Sequence, residues 1–148
     1  MTTKILRPND WPAGLPALLL FTDIGFLLYW SVTALHVAGV FHLPPEYLFK
    51  NYNNPLVFAW NWSFMPLDVA LSLAGLAGMS LWRRGHPAAR SLVAFSLALT
   101  FCAGLMAIAF WTITGDFDLG WWLPNLFLLV WPLIYLLKLA RIQAQTTI

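Results

Sequence analysis

Charged side chains are scarce in this sequence. Eight Lys and Arg and six Asp and Glu make up nine per cent of 148 residues, against sixty per cent apolar residues that include nine Trp and eleven Phe. A water-soluble domain of that composition is unable to cover itself with polar surface, so the soluble classes are excluded. Cysteine is nearly absent as well. Cys102 stands alone, so no internal disulfide forms, and within its apolar run it is expected to be a small filler of the core. Missing too are a phosphate-cradling glycine loop, a nucleophile triad, a haem motif and any cluster with metal-ligand spacing, so neither cofactor nor metal is expected. Gly115-Asp116-Phe117-Asp118 offers two carboxylates without a third ligand nearby and reads as a solvated turn.

What fills the chain is apolar. Four stretches, about Pro16 to Phe41, Pro55 to Trp82, Ser91 to Thr114 and Leu119 to Ala140, occupy nearly all of it. Each exceeds the roughly 20 residues that cross about 30 Å of hydrocarbon at about 1.5 Å per residue. The expected fold is all-α: a polytopic membrane protein in which residues 1–148 form a single domain, a left-handed four-helix transmembrane bundle. The first stretch is too long for a cleavable signal, contains Asp23 and runs into Phe41-His42-Leu43-Pro44-Pro45 without a small-residue cleavage site, so it is expected to persist as a helix.

Basic residues orient the bundle. Lys4 and Arg7 precede the first stretch, Arg83, Arg84 and Arg90 lie between the second and third, and Lys138 and Arg141 close the fourth, which puts seven of the eight on one face. The positive-inside rule assigns that face, and both termini, to the cytoplasm. Lys50 falls on the other side with Glu46, Asp116 and Asp118. The net charge of +2 reflects this asymmetry and provides no folded basic surface for nucleic acid. The loop from Leu43 to Pro55, too aromatic for a flexible linker, is expected to fold back as a cap over the outer mouth. Trp60, Trp62, Trp111, Trp121 and Trp122 lie near the outer headgroups and Trp82 near the inner ones, in belt or packing roles.

Against that apolar background, Asp23 and Asp68 are the informative residues. A carboxylate inside a span costs at least about 2.5 kcal/mol, so each is expected to face the protein interior and to mark a functional site. At about 100° per residue, Asp23 shares one arc of its helix with Trp30, Thr33, Thr22, Tyr29 and His36, while Leu20, Ile24, Leu28, Val32 and Leu35 cover the opposite, lipid-facing arc. On the second helix Asn61, Ser72, Gly75 and Met79 lie within about 40° of Asp68, and Val69, Leu73 and Ala77 point away. Asp68 is about 20 Å from either end of its helix, whereas Asp23 lies roughly 10 Å above the inner boundary. A neutral acid hydrogen-bonded to Asn61, Ser72 or a facing helix suits such depths. The third helix carries a stripe of small residues, Ser96, Thr100, Ala103 and Ala107, which lets backbones approach closely in lipid. On the fourth, Asn125 lies near Trp121 and Pro132, where a freed carbonyl and an inner polar network come within reach. His36, near the outer end of the first helix, reaches headgroup water.

Three strings carry a family resemblance: Phe21-Thr22-Asp23-Ile24-Gly25-Phe26, Asn61-Trp62-Ser63-Phe64-Met65-Pro66-Leu67-Asp68 and Trp121-Trp122-Leu123-Pro124-Asn125-Leu126. They resemble the YvaD-like family of small four-span bacterial membrane proteins over nearly the whole chain. That resemblance implies the topology and a bacterial origin, hence a multi-pass protein of the cytoplasmic (inner) membrane with N- and C-termini inside, and transfers no activity. A second likeness is to the EXPERA group, which includes the emopamil-binding protein and the sigma-2 receptor. Asn54-Pro55-Leu56, Trp62-Ser63-Phe64 and Asp68 resemble its Asp-Pro-Leu, Trp and Ser-Phe, and embedded acid, with Asn54 in place of the group's aspartate and Asp23 much deeper than its first-helix acid.

Three function classes follow. The first is a binding module for a small lipophilic or amine ligand, with Asp68 as counter-ion, Trp30, Tyr29, Phe64 or Trp121 as an aromatic wall, and Asp23, Asn61, Ser72, Asn125 and His36 completing the site. The second is an intramembrane isomerase or cyclase in which a protonated Asp donates to an alkene. The third is a subunit or scaffold. Whether the chain is an enzyme stays open. The expected partners are the lipid bilayer and that ligand, with a homo- or hetero-oligomer left open and no nucleic acid.

Overall fold

In the computed structural model, which describes residues 11–146, the chain is helical. The basic residues Lys4 and Arg7 lie outside the described residues. Helix α1 spans Leu15–Val37, α2 Pro55–Ser63, α3 Met65–Arg83, α4 Ala89–Ile113 and α5 Leu119–Thr146. With α2 and α3 forming one span, Pro55–Arg83, four helical segments are long and apolar enough to cross a membrane. The protein is a helical membrane protein.

Local sequence sets the boundaries. The Asn54 side chain accepts from the backbone N–H groups of Leu56 (3.0 Å) and Val57 (3.4 Å), an N-cap immediately followed by Pro55, whose missing donor is not needed in the first turn. Pro66 has no N–H for the Trp62 carbonyl, and the span breaks at Phe64, whose own N–H bonds back to Asn61 O at 3.1 Å. The second apolar stretch is therefore two helices in series. Helix α1 stops at Val37, short of the expected Phe41, because Gly39 takes a left-handed conformation (φ 73°) and Val40 N–H returns to Leu35 O.

Helix α3 packs on α1 and on α4, and α4 packs on α5. At the end that holds the start of α1, Tyr135 donates to the Ala13 carbonyl at 2.7 Å, Trp11 stacks on Trp82 at 3.8 Å, and the Arg90 guanidinium donates to the Leu139 carbonyl. Leu15, Leu19, Met79, Trp82, Val93, Leu97 and Trp131 form the apolar core there. At the opposite end Phe49, Val57 and Trp111 make a second cluster, joined by Tyr52, Phe58, Trp60, Phe110, Trp121 and Trp122. Phe49 and Tyr52 bring the Leu43-to-Pro55 loop into that cluster, so the loop caps the bundle as its aromatic content implies. Lys50 locks it down with ion pairs to Asp116 (2.8 Å) and Asp118 (3.8 Å). The Gly115–Asp118 turn is thus a docking point for Lys50 rather than a merely solvated turn.

The exterior is apolar. Phe21, Leu28, Leu73 and Leu137 are each more than half exposed, and Ile24, Val32, Leu35 and Ala77 are also on the outside, as the helical angles require. Cys102 is exposed and does not fill the core. The buried face of α4 belongs to Ser96, Thr100, Ala103 and Ala107, and Cys102 is turned about 100° from Ala103.

Candidate functional site

Two facing stripes build the interior. On α3, Asp68, Ser72 and Gly75 follow one another about a turn apart; on α1, Asp23 and Trp30 are two turns apart. The helices run antiparallel, and the stripes meet twice. The Trp30 indole N–H donates to Asp68 Oδ2 at 2.9 Å, linking α1 to α3. About 10 Å deeper, the Asp23 carboxyl occupies the space beside Gly75 that a Cβ would take: its Cγ lies 2.9 Å from that point, as does Ser96 Oγ of α4. The absent side chain at Gly75 is what admits a carboxyl between three helices.

The two acids are almost completely enclosed, Asp68 at 3% exposure and Asp23 at 0%. Asp68 keeps one oxygen, Oδ1, without a hydrogen-bond partner among the described residues, and Asp23 keeps both. The hydroxyls of Thr22, Ser72 and Ser96 are buried and unpartnered in the same sense. Polar groups therefore form a column through the middle of the bundle, from Asp68 past Ser72 to Asp23 and Ser96. An apolar plug of Leu15, Leu19, Met79, Trp82, Val93 and Leu97 lies at one end.

Aromatic rings surround Asp68 on the other side. Trp30 lies 5.0 Å from Tyr29 and 5.4 Å from Trp62 between ring centroids. The Tyr29 hydroxyl accepts from Asn61 Nδ2 at 3.3 Å, which ties α1 to α2, and the Trp62 indole N–H is buried without a partner among the described residues. Of the belt and packing roles the sequence allows Trp62, the structure shows packing on Trp30. Phe64 and Trp121, expected in the same wall, pack elsewhere, Phe64 on Trp60 (5.1 Å) and Trp121 on Trp111 (6.2 Å).

Of the expected site residues, Asp23, Trp30, Asn61, Asp68 and Ser72 are buried along the α1–α2–α3 seam, and Tyr29 joins them through its hydroxyl while its ring stays partly exposed. Asn125 and His36 do not join. Asn125 donates to the Trp121 carbonyl of its own helix at 2.7 Å. His36 accepts from Leu43 N–H at 3.1 Å and packs on Tyr52 at 5.7 Å, so it holds the Leu43-to-Pro55 loop and borders a cleft of about 800 Å³ with Phe49, Lys50 and Asn54. Ser96 and Gly75 are the interior residues that helical angles alone did not join to Asp23. The small-residue stripe of α4 was the available signal for Ser96. No group of three His, Cys, Asp or Glu able to hold a metal occurs among the described residues.

No solved structure matches the chain. Over 127 residues it is 44% identical to the uncharacterized protein YvaD of Bacillus subtilis (strain 168), an alignment covering 86% of this chain and 92% of that relative. The likeness to the EXPERA group gains no support from these comparisons. Residues 15–146, from the start of α1 to the end of α5, match the family of unknown function DUF5360, and the chain belongs to that family.

Proposed function

We propose that this protein binds a small lipophilic cation within the membrane, with Asp68 as counter-ion and Trp30, Trp62 and Tyr29 as the aromatic wall. One observation carries the reading: Asp68, enclosed in the bundle, has one oxygen fixed by the Trp30 indole and the other without a partner among the described residues. The ion pairs among those residues involve Lys50 and not Asp68. A buried carboxylate without a cation is costly, and a cation from outside supplies the missing charge. Indole faces beside it add cation-π attraction of about 0.5–2 kcal/mol. The separation of Asp23 from Asp68, about two helical turns, favours binding over chemistry that needs an acid and a base on one substrate position. The distribution of basic residues supports placement in a bacterial cytoplasmic membrane with both termini inside.

A photoreactive hydrophobic amine tests the location. Irradiated with the protein in nanodiscs, it is expected to label Tyr29, Trp30 or Trp62, with labelling suppressed by excess unlabelled amine. Labelling confined to exterior residues such as Phe21 and Leu28, and insensitive to competitor, overturns the proposal.

A further inference from the structure

Asp23 has no part in the binding reading above, yet it is the most enclosed acid among the described residues. Its two carboxyl oxygens and the hydroxyls of Thr22, Ser72 and Ser96 are buried and unpartnered among the described residues. Helical Ser and Thr usually quiet such a hydroxyl by donating to the carbonyl one turn back. Elsewhere in this protein they do so: Ser31 to Leu27, Thr33 to Tyr29, Thr100 to Ser96 and Thr112 to Ile108, at 2.6–2.9 Å. The hydroxyls of Thr22, Ser72 and Ser96 leave that bond unmade. Their oxygens remain available to something else.

The convergence is geometric as well as compositional. Asp23 of α1 and Ser96 of α4 both abut the missing Cβ of Gly75, so a carboxylate and a hydroxyl from different helices share one small space. Thr22 neighbours Asp23 on α1, and Ser72 lies about one turn from Gly75 on α3. The donor set is all oxygen and carries one negative charge. Hard cations take oxygen ligands, and divalent ones ordinarily recruit more than a single carboxylate. One carboxylate with neutral hydroxyls balances one positive charge. The close approach of Asp23 and Ser96 at Gly75 favours a small ion over a large one.

We propose that Asp23, Ser96, Ser72 and Thr22 form a sodium-binding site at the centre of the bundle. Sodium neutralises the Asp23 carboxylate and cross-links α1, α3 and α4, so occupancy stabilises the packed bundle. The apolar plug beneath it closes the site toward the end where α1 begins.

The test is thermal unfolding and equilibrium binding of radioactive sodium with the purified full chain in nanodiscs, in the absence of any amine, so the outcome is independent of whether Asp68 binds a ligand. Sodium chloride is expected to raise Tm over choline chloride or potassium chloride at equal ionic strength, by about 5 °C at saturation, the size that mass-action stabilisation gives a chain of this length. Ser96→Ala, which removes one oxygen and little volume, is expected to weaken sodium binding about tenfold or more, and Asp23→Asn to abolish it. Thr112→Ala, on the exposed face of α4, is expected to keep the full response. Equal Tm in sodium, potassium and choline, absence of bound radioactive sodium, or an undiminished response in Ser96→Ala each overturn the proposal, and Ser96→Ala gives that answer even where Asp23→Asn fails to fold.

Discussion

Gly75 is where a single missing atom sets the packing of three helices. A Cβ at that position meets the Asp23 carboxyl and, at 2.9 Å, Ser96 Oγ, and both side chains must shift to make room for it. Gly75→Ala is expected to destabilise the bundle by about 1–3 kcal/mol, the ordinary cost of overpacking, read as a lower unfolding midpoint in detergent. A midpoint equal to the wild type contradicts the placement of Asp23. Trp30→Phe keeps an aromatic ring but removes the donor that Asp68 Oδ2 uses, so a loss of about 1–3 kcal/mol is expected in the same assay. A neutral result there means the Trp30–Asp68 bond is not what holds α1 to α3. The burial of Asp23 and Asp68 was legible from the sequence because an acid in an apolar run has no cheap alternative to the interior. Their partners were not. Helical angles orient each helix about its own axis, but the pairing of Trp30 with Asp68 and Asp23 with Gly75 depends on how far α1 slides along α3, which periodicity does not encode. Asn125 shows the same limit from the other side: its angle fits an inward polar group, yet the carbonyl of Trp121 on its own helix satisfies it locally.

At the level of elements, apolar length gave the number of spans and most of their boundaries, while α5 runs on past the expected Ala140 to Thr146. Two other departures have local causes. Gly39 ends α1 early by turning left-handed, and Pro66 divides the second span by removing the donor that Trp62 O would use. The second break lies beside Trp62, which packs on Trp30. The Leu43-to-Pro55 loop is also more tightly held than its composition alone indicates. The hydrogen bond from Lys50 to Asp116 raises the lysine above its ordinary value, with the charges of Asp116 and Asp118 adding to it. A raised folded-state value means the pair is intact at neutral pH and is lost only as pH rises through and beyond the ordinary lysine range of about 10.4. Hydrogen exchange in the loop is therefore expected to show the same protection at pH 7 and pH 9 once corrected for intrinsic rates. Lys50→Met is expected to speed exchange in residues 44–54 while leaving α3 and α4 unchanged. Loss of protection between pH 7 and 9, or identical exchange in the variant, contradicts the latch.

For the molecule as a whole, the arrangement is an apolar shell around a polar column, the inverse of a soluble bundle and the form expected of a chain whose solvent is lipid. The distribution of basic residues makes its orientation testable. Single substitutions Asn53→Cys, Gly85→Cys and Gly115→Cys in a background lacking Cys102 are expected to react with an impermeant thiol reagent on intact cells at Asn53→Cys and Gly115→Cys only. Reaction of Gly85→Cys from outside reverses the topology. Membership in a family of unknown function supplies no substrate, so the account stands on Asp68 itself. The most direct measurement is equilibrium binding of radiolabelled tetraphenylphosphonium, a lipophilic cation, to the wild type and Asp68→Asn in nanodiscs, with unfolding midpoints recorded in parallel. Asp68→Asn retains shape and the acceptor for Trp30 but loses the charge, so affinity is expected to fall at least about tenfold, about 1.4 kcal/mol, while the midpoint changes little. Unchanged affinity in Asp68→Asn, or no saturable binding to the wild type, contradicts the account.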